Sequence, residues 1–126
     1  MMTPVEVVKK QLAAYNARDL DAFCACYSPK IVVERLIGNK LLFRGMEAFR
    51  KNYADRFSNP ELHAKLINRI ALGQVVIDQE EIVGFPGHNV LHAVAIYEVE
   101  NGLIRKVRFE RSAHHENVPD LMAENQ

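Results

Sequence analysis

Four side chains in this sequence combine proton-carrying chemistry with strand-like, apolar surroundings: Glu34, Asp78, Glu80 and His92. A carboxylate becomes a useful base near neutral pH only where desolvation or a like charge raises its pKa, whereas imidazole (~6.5) titrates there unaided. Glu34 lies in the β-rich run Ile31–Ile37. A two-residue turn at Gly38-Asn39 puts it on one face with Val32, Leu36, Leu41 and Phe43, a setting that raises a carboxyl pKa. Arg35 then shares the side of Val33 and Leu42, available to stabilise an oxyanion. His92 lies in Asn89–Val99, which Asn101-Gly102 turns into Leu103–Arg111. The register of a two-residue turn sets Val94 against Phe109, Ile96 against Val107 and His92 against Arg111, so His92 and Arg111 are expected to point inward with the apolar face.

Asp78 and Glu80 belong to a second hairpin, turned at Leu72-Gly73. Its alternation puts Leu62, Leu66, Ile70, Val75 and Ile77 on one side and His63, Lys65, Arg69, Asp78 and Glu80 on the other. Two readings stay open. Either a carboxylate is a general base tuned by His63 or Arg69, or these charges pair across strands on a solvated face, for about 0.2–1 kcal/mol each.

The elements that must position these groups are legible. Thr3-Pro4 with Glu6 forms a capping box, and Val5, Val8, Leu12 and Tyr15 follow at helical spacing. Asp19 caps a second short helix bearing Leu20, Phe23, Cys24 and Tyr27, expected to end at Ser28-Pro29. Met46, Phe49, Tyr53 and Phe57 mark a third helix, ended by Ser58-Asn59-Pro60. Tyr15, Tyr27 and Tyr53 therefore sit on apolar stripes, as core or as pocket wall with a hydroxyl free for a ligand carbonyl. Three helices and then long hairpins predict an α+β fold: a cone-shaped, curved, mostly antiparallel sheet packed against three N-terminal helices. The open end of such a cone is a natural pocket.

The chain's 126 residues fit one domain, with an ordered core over about 3–112 and a polar tail at 113–126. Sixteen basic residues balance sixteen acidic ones, so no basic excess calls for nucleic acid. No apolar run reaches the ~18 residues of a membrane span, and the N-terminus lacks the layout of a secretory signal. Cys24 and Cys26, expected on different sides of a helix and so unable to pair with each other, fit a reduced, cytoplasmic setting. His88 and His92 fall on a loop and a strand, and His114-His115-Glu116 in the tail, so no metal site is expected. With no glycine-rich phosphate loop and no nucleophile elbow, no cofactor is expected either.

The run Ala14–Phe23, then Tyr27–Glu34, the Gly45–Phe49 helix entry and the closing Ala95–Ile104 hairpin resemble the nuclear transport factor two-like superfamily, closest to its SnoaL-like and ketosteroid-isomerase-like branch. The resemblance spans about residues 3–111. It implies the cone fold and a pocket, in a superfamily of isomerases, cyclases, dehydratases, epoxide hydrolases and non-catalytic members. The isomerase's own residues are absent: Gln11 stands at its first-helix tyrosine, Arg35 (after Glu34) at its proton-shuttling aspartate, and Ala95 at its second aspartate. The resemblance also turns Ala95 inward, whereas the hairpin register turns His92 inward, and the expectation from the register is His92.

The sequence therefore predicts a protein that encloses a small apolar molecule. It is either a cofactor-free isomerase, cyclase, dehydratase or hydrolase or a non-catalytic binding or dimerisation module. Its catalytic candidates are His92, Glu34, Asp78 and Glu80; its ligand-binding candidates are Tyr15, Tyr27, Arg35, Tyr53, His63 and Arg111. Ala93 and Ala95 beside Tyr97 suggest close sheet-on-sheet packing in a homodimer.

Overall fold

A computed structural model describes residues 1–112; the tail 113–126, with its His114-His115-Glu116, lies outside the described residues. Helix α1 (Pro4–Ala17) begins at the capping box, with Thr3 Oγ1 accepting from the Glu6 amide and the Glu6 carboxylate accepting from the Thr3 amide. It stops where Arg18 takes a left-handed conformation. Asp19 caps α2 (Leu20–Cys24) by accepting from the Ala22 amide, and α3 (Met46–Arg56) starts after Gly45. Among the described residues there are also six strands: β1 (Tyr27–Arg35), β2 (Lys40–Arg44), β3 (His63–Leu72), β4 (Val75–Val83), β5 (Leu91–Glu100) and β6 (Leu103–Ser112).

The strands form one open sheet in the order β2-β1-β6-β5-β4-β3, antiparallel except for the β1–β6 pair. The α+β cone expected from the element order is the fold observed. Bulges at Val33/Glu34, between Leu66 and Asn68, and at Glu98/Val99 bend the strands around the helices. Asn16 ties α1 to β3: its side-chain oxygen accepts from the Ala64 amide at 2.8 Å and its amide donates to the Ala64 carbonyl at 2.9 Å. Between helices and sheet, Tyr15, Phe23, Tyr27, Phe49, Tyr53 and Phe57 interlock. Phe23 stacks on Phe49 at 5.7 Å and Tyr15 meets Phe57 edge-on at 5.3 Å. Such ring pairs are worth about 0.5–1.5 kcal/mol beyond their buried area. No helix among the described residues is long and apolar enough to cross a membrane.

Three local expectations shift. Ser28-Pro29 does not end the second helix but lies inside β1, where the β1–β6 register breaks between Tyr27 and Val32; a proline, lacking an N–H, fits such an interrupted ladder. Gly38-Asn39 closes no two-residue hairpin: the last β1–β2 pair is Arg35 with Lys40, so residues 36–39 form the connection, with Gly38 at φ +83. The β3–β4 turn falls at Gly73-Gln74, one residue later than expected, because Leu72 already pairs with Val75.

Candidate ligand cavity

The concave side of the sheet and the helices enclose a cavity of about 280 Å³, near the lower end of the ~300–1,000 Å³ typical of small-molecule sites. The helices contribute Gln11, Tyr15, Phe23, Asn52, Tyr53 and Arg56 to its wall. The sheet contributes Tyr27, Val33, Phe43, Glu80, Ala93, Ala95, Tyr97, Val107, Phe109 and Arg111. Most of this surface is aromatic or aliphatic, with a few converging polar groups.

One set of polar groups is satisfied within the protein. The Tyr27 hydroxyl donates to Gln11 Oε1 at 2.8 Å, and Gln11 Nε2 donates to the Tyr97 hydroxyl at 3.3 Å. Burial raises both tyrosine pKa values well above the usual range, so the two hydroxyls stay neutral. The buried hydroxyl of Tyr15 is not satisfied. The Arg56 guanidinium lies near enough to act on it electrostatically, but the hydroxyl makes no hydrogen bond among the described residues. A buried polar group without a partner is costly and uncommon, so a bound oxygen is a natural complement to it.

Glu80 is the chemically distinctive wall residue. It is 7% exposed, faces the cavity and forms no ion pair among the described residues. Burial, reinforced by the negative charge of Asp78 and opposed by Arg69, pushes its pKa up to about 7. Asp78, two residues earlier on the same face of β4, is fully buried but bound bidentately by Arg69, at 2.7 and 2.9 Å. It does not line the cavity.

A second charged group lines the mouth. Arg56 lies 4.6 Å from the Tyr53 ring centroid and 4.8 Å from that of Phe85; Arg111 lies 4.9 Å from Phe85 and 4.8 Å from Phe109. Phe85 is held there by its loop. Gly84, at φ +78, lies so close to Glu61 that a Cβ would meet the Glu61 carbonyl oxygen at 2.4 Å, and Asn59 donates to the Gly84 carbonyl. Sequence reasoning passed over Arg56, Phe85, Asn52 and Tyr97. Arg56 carried a usable signal, lying three residues after Tyr53 on the stripe of Phe49. Nothing local marked Phe85.

The structure moves several predicted residues away from the cavity. Ala93, Ala95 and Tyr97 pair with Arg111, Phe109 and Val107, one step from the expected register, because the bulge at Glu98/Val99 shifts every pair beyond it. His92 consequently lies on the opposite face, between Glu81 and Ser112, and Ala95 points inward as the family resemblance implied. The same shift takes Ala93, Ala95 and Tyr97 away from any second sheet. The bulge at Ile67 sends His63 outward to an exposed position opposite Val83 and leaves Glu80 opposite Leu66. Glu34 lies on the outer side and meets Lys106 at 3.3 Å, while Val33 and Phe43 take the inner side. Arg35 binds Glu110 at 2.7 Å instead of lining the cavity. Of the named candidates, Tyr15, Tyr27, Tyr53, Glu80 and Arg111 come together around one space.

Comparison with known proteins agrees with this architecture. An uncharacterised cystatin-fold protein from Novosphingobium aromaticivorans superposes with a TM-score of 0.79 at 25% identity, over 88% of this chain and 100% of that one. An NTF2-like protein of unknown function from Cytophaga hutchinsonii gives 0.74 at 15% identity, over 89% and 92%. A provisionally named ketosteroid isomerase from Kribbella flavida gives 0.76 at 17% identity, over 94% and 87%. No curated protein matches the chain. The family model of the SnoaL-like domain matches residues 8–107, most of the folded chain, and the protein belongs to that family.

Proposed function

We propose that this protein binds a small, largely apolar carbonyl compound in its cavity and catalyses cofactor-free proton transfer on it, in the cytoplasm. Glu80 is the base and the Tyr15 hydroxyl the donor to the carbonyl oxygen. The observation that carries this reading is the buried, unpaired Glu80 carboxyl facing an enclosed apolar space, with a pKa of about 7. A base whose pKa lies near the working pH combines a useful ionised fraction with real basicity. The Glu80 carboxylate takes a proton from the carbon next to the carbonyl. The C–H electron pair becomes the enolate double bond, and the carbonyl pair moves to oxygen, where Tyr15 donates. The Glu80 carboxyl then returns the proton to the same or a conjugated carbon, which completes exchange or isomerisation; an enolate that attacks an internal carbonyl completes a cyclisation. A Kribbella flavida neighbour provisionally named a ketosteroid isomerase supports this class of chemistry.

The test is solvent deuterium exchange at the α-carbons of a panel of small cyclic ketones such as 2-tetralone, followed by NMR near neutral pH. The wild type should accelerate exchange of at least one member, and Glu80→Gln should lose about 10²–10⁴-fold of that acceleration. Equal rates in the two proteins would refute the assignment. A non-catalytic binding module is the second reading, favoured by Gln11, Arg35 and Ala95 standing at the isomerase positions; it predicts binding of these ketones without exchange.

The proposal includes a homodimer formed by two convex faces. Ile70, Ile77, Val94 and Ile96 make an apolar strip there, and neighbouring Glu98, Lys106 and Arg108 give a two-fold partner charges of both signs to match. Light scattering should give twice the 14.4 kDa chain mass; a monomer at micromolar concentration would remove this element.

A further inference from the structure

Arg56 and Arg111 are notable for what they lack. Both line the cavity, both are half-buried, and neither reaches a carboxylate among the described residues. Five other arginines do reach one, among them Arg35 with Glu110, Arg69 with Asp78 and Arg105 with Glu98. The two unpaired guanidiniums flank one ring, Phe85, at 4.8 and 4.9 Å, and are backed by Tyr53 and Phe109. The aromatic contacts offset part of the desolvation of both guanidiniums without neutralising their charge, and the groups that act on Arg56 are the neutral hydroxyls of Tyr15 and Tyr53. Two like charges held together at the mouth of an apolar cavity stabilise the fold less than they would stabilise an anion between them. Guanidinium matches the planar, two-oxygen geometry of a carboxylate better than it matches a single carbonyl oxygen.

We propose that the cavity mouth is an anion seat, in which Arg56 and Arg111, held on Phe85, receive the carboxylate of a small, flat, largely apolar ligand whose body lies against Tyr15, Tyr53 and Phe109. This narrows the substrate class of the proposed function, on whose cavity reading it rests, to carbonyl compounds that also carry a carboxylate on an aromatic or alicyclic frame. The carboxylate anchors at the mouth and the reacting carbon lies further in.

Isothermal titration with 2-naphthoate and with 2-naphthamide, equal in shape and different in charge, tests it directly. At pH 6, in low salt, naphthoate should bind at least tenfold more tightly. Arg111→Gln and, separately, Arg56→Gln should each remove about tenfold of naphthoate affinity and leave naphthamide within about twofold, which also shows that the variant cavity is folded. Equal affinity for the two compounds, or equal losses for both in the variants, would overturn the anion seat while leaving the apolar cavity intact. Absence of binding by either compound would overturn the anion seat and the ligand-binding reading together.

Discussion

On the convex face of the sheet, charge meets charge. Glu34 lies 3.3 Å from Lys106, and Glu98 takes Arg105 at 2.8 Å and Arg108 at 3.8 Å. On the concave face Asp78 is bound by Arg69, but Glu80, Arg56 and Arg111, all on the cavity wall, have no opposite charge in contact among the described residues. Both faces belong to the same strands, so strand chemistry does not explain the contrast. Burial does. An exposed charge is solvated whether or not it is paired, whereas a buried unpaired charge is costly and tends to mark a place where a ligand or a proton completes the balance.

The largest expected effect is loss of function without loss of fold: Glu80→Gln should cost about 10²–10⁴-fold in α-proton exchange. Retained exchange would mean that the unpaired carboxylate is not the base and would break the contrast between the faces.

Next comes the paired carboxylate on the same strand. Arg69→Met strands Asp78 in a site where that residue is fully buried, and should destabilise the protein by about 3–5 kcal/mol in urea unfolding. Adding Asp78→Leu should recover most of that loss, because the pair is then removed as a unit. A small effect of Arg69→Met alone would show that water reaches Asp78.

Stability against pH separates the two carboxylates further. The folded pKa of Glu80, about 7, is above its ordinary value of 4.5, so the folded state holds a proton that the unfolded chain has released. That contribution is fully present below about pH 4.5 and is lost as pH rises through 7. Glu80→Gln should therefore match the wild type at pH 4 and exceed it by roughly 3 kcal/mol at pH 8.5, the difference between titrating near 4.5 and near 7. Parallel pH profiles would contradict the unpaired state of Glu80.

The smallest effect belongs to the outer face. Glu34→Ala, which removes the partner of Lys106 and spares the residues assigned to the dimer face, should change stability by about 0.2–1 kcal/mol and leave ligand binding unaltered.

Helix starts, the succession of elements along the chain and the fold class were legible because caps, helical stripes and turn residues act locally. The Thr3-Glu6 box and the Asp19 cap are seen as read. The candidate site was legible only in part, for a physical reason: side-chain direction alternates along a strand, so one bulge inverts every assignment beyond it. The extra residue Arg105, opposite the Glu98/Val99 step, exchanged His92 for Ala95 and Tyr97, and the one at Ile67 separated His63 from Glu80. Tyr15 and Tyr53 were found because helical spacing has no comparable failure over three turns. Arg56 and Phe85 meet only through tertiary packing, across a loop whose course depends on Gly84 lying against Glu61.

The most direct measurement is the ionisation of Glu80 itself, followed through its side-chain carboxyl ¹³C shift across pH 3–10 in the free protein. A midpoint near 7, far from those of the surface glutamates, is the result predicted for an unpaired carboxyl in an apolar cavity. A midpoint close to 4.5 would place that group in water or in an ion pair, and the proposed chemistry would lose its base.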